Sequence, residues 1–90
     1  MKEIIWTEYM KYRSSTRGMD LGVVEEIVRH ASERYVDNET HRFIAVGRHR
    51  NTIVVVPYEE SETSLTPITV HATTRHQINL RTRTGRYSHG

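Results

Sequence analysis

The sequence predicts an α+β domain with the element order β-α-α-β-β-β-α around a small antiparallel sheet. Three observations carry this. Val23, Val24, Ile27, Val28 and Ala31 recur at helical spacing and form one apolar face. Thr52–Tyr58 (T-I-V-V-V-P-Y) is a short β-branched run, as a strand buried on both faces requires. His41–Arg48 and Leu65–His71 flank it across short polar connections, the pattern of an antiparallel meander. The 90 residues fit one domain, 1–90. A chain this short buries a modest core, which leaves room for a partner or a homodimer.

Glu3–Thr7 is apolar enough for a first strand, and Glu8–Arg17 reads as a short helix. Gly18 suits a helix C-terminus at positive φ, and Asp20 suits the N-cap of the next helix. That helix is expected over Leu21–Arg34, with Met19 and Val24 as a hydrophobic staple and Glu25–Arg29 as an i,i+4 ion pair. Tyr35–Asp37 could add a short strand before the turn at Asn38. Arg48-His49-Arg50-Asn51 supplies a hairpin connection. Pro57 cannot donate to a sheet ladder, so it belongs near a strand end or at an irregularity. Thr74-x-x-Gln77 fits a capping box and opens a basic helix from about Arg75 to Arg83, closed by Gly85. Ile78 and Leu80 do not share a stripe on it, so little of it is expected in the core. The segment beyond, with His89, is expected to fray.

Composition narrows the chemistry. There is no cysteine, which removes disulfides, zinc ribbons and thiol nucleophiles. No apolar run approaches a membrane span, and the first residues lack a signal-peptide core, so a cytoplasmic location is expected. Phosphate-binding glycine loops, nucleophile elbows, dinucleotide fingerprints and carboxylate clusters are absent, and no cofactor or metal is expected. Six histidines lack metal-ligand spacing.

Charge is the informative asymmetry. Thr63–Gly90 contains no Asp or Glu and carries Arg75, Arg81, Arg83 and Arg86, a charge of +4. Residues 1–62 hold nine Lys/Arg against eleven Asp/Glu, a charge of −2. The basic helix and tail, about residues 74–90, therefore point to a polyanion, because guanidinium groups grip phosphate through paired hydrogen bonds. His71 ends a strand and His76 opens a helix, so both can reach one sheet edge. Without convergent carboxylates, RNA cleavage would proceed by attack of the 2′-hydroxyl on the adjacent phosphate, with side chains moving the protons and arginine balancing the charge. Tyrosine can pack its ring or stack on a splayed base. Packing is the expectation for Tyr35, while Tyr12, Tyr58 and Tyr87 fit either role.

Two stretches carry a family resemblance. Thr7–Met19 (T-E-Y-M-K-Y-R-S-S-T-R-G-M), followed by V-V-E-E-I-V, resembles the T-x-H-A-x-x-R-x-x-x-R-G-I segment of small toxin domains of the RelE superfamily, the BrnT branch above all. Arg13, Arg17 and Gly18 match, while Tyr9 stands where those domains have His. Ile68–Arg81 (I-T-V-H-A-T-T-R-H-Q-I-N-L-R) is similar to their I-T-A/V-x-x-T-S/T-x-x-Q-I-x-x-R segment; BrnT itself tends to have Arg at the position of His71 and Glu at that of Gln77. The resemblance implies a RelE-like fold, a cytoplasmic toxin of a toxin–antitoxin pair, a cognate antitoxin partner and RNA as target, including ribosome-associated mRNA. Combined with the residue reading, it makes the chain an RNA-binding protein and a candidate metal-independent endoribonuclease. His71, Arg75, His76, Arg48 and Tyr58 would form the reactive edge, and Arg13, Arg17, Arg81, Arg83 and Arg86 would hold phosphates. The alternatives are a non-catalytic protein-interaction module and a simple nucleic-acid-binding domain.

Overall fold

The valines of Thr52–Glu60 alternate between two hydrophobic clusters, and that alternation organises the molecule. The computed structural model describes Met1–Gly90. In chain order the elements are β1 (Glu3–Ile4), α1 (Glu8–Thr16), α2 (Leu21–His30), β2 (Glu33–Asp37), β3 (Arg42–His49), β4 (Thr52–Glu60), β5 (Ser64–Pro67), β6 (His71–Thr73), α3 (Arg75–Arg83) and β7 (Tyr87–His89). The fold is α+β, with the strands of one sheet ordered β1-β5-β4-β3-β2-β7 and β6 paired to β4 beyond β5. All pairings are antiparallel except β1 with β5.

On one face, α1 and α2 bury Met10, Met19, Val24, Ile27 and Val28 against Ala45, Val54, Val56 and Leu65. Here α2 approaches β3 so closely that a Cβ on Gly47 would lie 2.6 Å from the Ile27 side chain. The caps are those the sequence encodes: the Asp20 carboxylate accepts from Val23 N–H at 2.9 Å, and the Glu25–Arg29 pair forms at 2.7 Å. On the other face, α3 inserts Ile78 among Tyr35, Ile44, Val46, Val55 and Tyr87. Burial on this scale contributes about 2 kcal/mol for one isoleucine.

Several boundaries differ from expectation. The first strand stops at Ile4, because the Thr7 hydroxyl is taken as the α1 N-cap, accepting from Met10 N–H at 3.0 Å. The second helix stops at His30 rather than Arg34. Ala31 leaves helical backbone at ψ 131°, and Glu33 and Arg34 pair with Val46 and Ala45 in β2 instead. The last residues do not fray: Tyr87–His89 adds to β2, and the Tyr35 and Tyr87 rings stack at 5.4 Å. The third helix is a core element after all, through Ile78 alone.

The expected strand Leu65–His71 is broken, and this break decides the site. Tyr58 faces Pro67, and Val55 faces His71. The two intervening residues of β4, Val56 and Pro57, are thus matched by three, Ile68, Thr69 and Val70. This is a one-residue bulge. Pro57 explains it: its carbonyl accepts from Ile68 N–H at 2.8 Å, but it has no N–H to return on that side. A one-residue shift turns every later side chain to the opposite face. His71 therefore lies with Val55 on the α3 face, while Val70 and Ala72 turn towards α1 and α2. No helix is long and apolar enough to cross a membrane.

Candidate nucleic-acid interface

The bulge brings Ile68, Thr69 and His71 together as part of the wall of one cleft, about 160 Å³, closed on its other side by Arg81, Arg86 and Tyr87. His71 is half-buried there. Burial, and then the charges of Arg13, Arg17 and Arg81, push its pKa below the ordinary 6.5, which favours the neutral imidazole. Arg81 shares this cleft, and the charges of Arg13 and Arg17 act on His71 from α1. Arg13 reaches over from α1, its Nε donating to Thr69 Oγ1 at 3.2 Å. Arg81 comes from α3, donating to the Tyr87 hydroxyl at 3.1 Å with its guanidinium 5.7 Å from that ring's centroid. Arg17 closes α1 as its C-cap. None of the three has a carboxylate within 4 Å.

The other basic residues of the C-terminal stretch have a different fate. Glu33 and Asp37 lie on β2, both facing α3. Arg75, the first residue of α3, donates twice to Glu33, at 2.6 and 2.9 Å. Arg86, just beyond α3, donates twice to the buried Asp37, at 2.8 and 3.0 Å. Burial pushes the Asp37 carboxyl up, but Arg86 and the N–H groups of Glu39 and Thr40 outweigh it and hold its pKa down at about 2. Hydrogen bonding from Arg75 likewise lowers Glu33. The two acids of β2 clamp α3 at both ends, and Ile78 pins its middle.

The residues read as one reactive edge are accordingly not assembled. Tyr58 is 3% exposed on the opposite face, where its hydroxyl accepts from Arg34 at 2.8 Å and its ring stacks on Phe43 at 5.6 Å. Arg48 and Arg75 line a separate cleft of about 170 Å³ with Glu33. His76 is exposed on the side of α3 away from Ile78, so it does not meet His71. Arg83 is exposed at the end of α3, and Arg86 lines the His71 cleft with its charge compensated by Asp37. His71, Arg13, Arg17 and Arg81 remain as a group. The sequence leaves Thr69, which positions Arg13, unmarked and offers Tyr87 only a packing or stacking role, not that of partner to Arg81; for Thr69 the only signal is Pro57, whose missing N–H foretells an irregularity but not its place on the neighbouring strand.

A third cleft, about 340 Å³, opens on the α1–α2 face. Arg17, His49 and Arg50 rim it over Met19, Val54, Val70 and Ala72. Arg50 sits at φ 58° in the two-residue β3–β4 turn, a conformation glycine usually fills. No three His, Asp or Glu side chains converge in the arrangement of a metal site. Compared with known proteins, the chain matches no family model, no curated protein and no solved structure.

Proposed function

We propose that the protein binds RNA through the Arg13–Arg17–Arg81 group and acts as the toxin of a toxin–antitoxin pair, cleaving RNA without a metal ion. The observation that carries the reading is a half-buried His71 that shares its cleft with Arg81, beside Arg13 on Thr69, with no carboxylate within 4 Å of either arginine. Clustered guanidinium groups favour a phosphodiester over any neutral ligand. A neutral imidazole among them is suited to accept the 2′-hydroxyl proton. The 2′ oxygen then attacks the adjacent phosphorus, the arginines balance the charge that develops, and the 5′ oxygen leaves with a proton from water. An acidic antitoxin segment would compete for the same arginines.

The test is incubation of purified protein with single-stranded RNA in EDTA. Expected are products ending in a 2′,3′-cyclic phosphate, lost in His71→Ala while binding persists. RNA bound but left intact refutes the cleavage step and leaves a nucleic-acid-binding domain. No salt-dependent binding refutes the reading altogether.

A further inference from the structure

The sheet sorts the five tyrosines. Tyr35, Tyr58 and Tyr87 are buried, whereas Tyr9 and Tyr12 are 56% and 62% exposed, both on α1. This helix turns Met10 and Ser14 inward, and Ser14 Oγ donates to the Met19 carbonyl to close the α1–α2 turn. At 100° per residue, Arg13 and Arg17 flank the buried side, Tyr9 and Thr16 come next, and Tyr12 lies furthest out. The Glu8–Lys11 pair occupies the opposite flank. Tyr9, one turn before Arg13, lies on the flank that faces the bulge, because Arg13 reaches Thr69 from it, and Tyr12 stands at the outer edge of that flank. Exposed rings are thus interleaved with the same arginines whose charges act on His71.

We propose that this flank of α1 is a stacking platform for single-stranded RNA. Tyr9 and Tyr12 each take one unstacked base, while Arg13 and Arg17 hold the phosphates that lead from them to His71. This platform rests on the RNA reading above and adds strand class to it. Bases paired in a duplex keep their faces covered and cannot offer them to an exposed ring, whereas single strands stack on aromatic side chains irrespective of sequence. Charge complementarity selects a polyanion: the only acid of α1, Glu8, lies one turn before Tyr12 and is paired with Lys11 at 3.4 Å, so Arg13 and Arg17 keep their flank positive.

The experiment titrates three probes into full-length protein. They are a single-stranded 2′-O-methyl oligoribonucleotide, which cannot undergo 2′-hydroxyl attack, its duplex, and inorganic polyphosphate, which has no bases. Tyr9→Ala/Tyr12→Ala is expected to weaken the single strand by about tenfold or more and to leave polyphosphate unchanged. Tyr9→Phe/Tyr12→Phe should bind like the wild type, because the ring and not the hydroxyl stacks. The platform is overturned if the alanine pair binds the single strand normally, if it loses polyphosphate equally, or if the duplex binds as tightly as the single strand. Failure of the wild type to bind any probe overturns the RNA reading and the platform together.

Discussion

The arginines along β2 and those around β6 divide one basic surface into two regions with opposite electrostatics. Arg75 and Arg86 meet Glu33 and Asp37 and serve to fasten α3 to the sheet. Arg13, Arg17 and Arg81 meet no acid within 4 Å, and their charges act on His71. In sequence Arg75, Arg81 and Arg86 belong to one acid-free stretch. The difference is the partner strand: β2 presents two carboxylates towards α3, whereas β6 and the bulge present Thr69 and His71. A basic stretch therefore reports on function only after the acids of other elements have been subtracted from it.

The largest effect should follow from breaking the fastened region. Asp37→Ala leaves the Arg86 guanidinium with only the exposed Glu39, 3.4 Å away, and removes the acceptor for two N–H groups. A loss of about 3 kcal/mol in denaturant unfolding is expected. Acid should act on the same residue. The Asp37 pKa is held at about 2, against an ordinary 3.8. The unfolded chain thus takes up this proton first. The pair's stabilisation, about 2 kcal/mol, is complete above pH 3.8 and is lost as pH falls towards 2. In Asp37→Asn, urea titrations across that window should show a correspondingly flatter pH dependence.

Binding should divide the arginines the other way. Arg13→Ala or Arg81→Ala is expected to weaken polyanion binding about tenfold and to reduce the salt slope by about 1, whereas Arg75→Ala should leave both nearly unchanged. Fluorescence anisotropy at several salt concentrations would distinguish them. A sharper version frees a fastened arginine: Glu33→Gln should raise affinity by a few-fold, as Arg75 becomes available. The smallest effect is on His71 itself. Its NMR titration should lie below 6.5 and move upward in Arg17→Ala, though not fully, because burial is the larger cause. The sign for stability is fixed by the same shift. The unfolded chain binds this proton at higher pH, so His71 costs stability as pH falls below 6.5.

Much of the scaffold was legible in the sequence because it depends on local rules. The α2 face, the Asp20 and Thr74 caps and the two-sided burial of β4 follow from spacing and side-chain chemistry within a few residues. The bulge was half legible: Pro57 announces a missing donor, but its consequence falls on β6. The β-branched run Ile68-Thr69-Val70 reads as uninterrupted strand, so His71 could not be assigned a face. Tyr87 and His89 look like a polar tail until Asp37 and Tyr35 are placed beside them.

The amino-acid sequence alone determined the α+β class, the principal helices and strands, and the presence of a basic surplus. These are set by periodicity and composition, which need no knowledge of long-range pairing. Tertiary structure decided which charges survive. It did so by pairing residues more than 40 positions apart, Glu33 with Arg75 and Asp37 with Arg86, and by a single extra residue opposite Pro57 that turns His71 towards Arg81. A charge is local in sequence, but its field is set by whatever the fold places within a few ångströms of it.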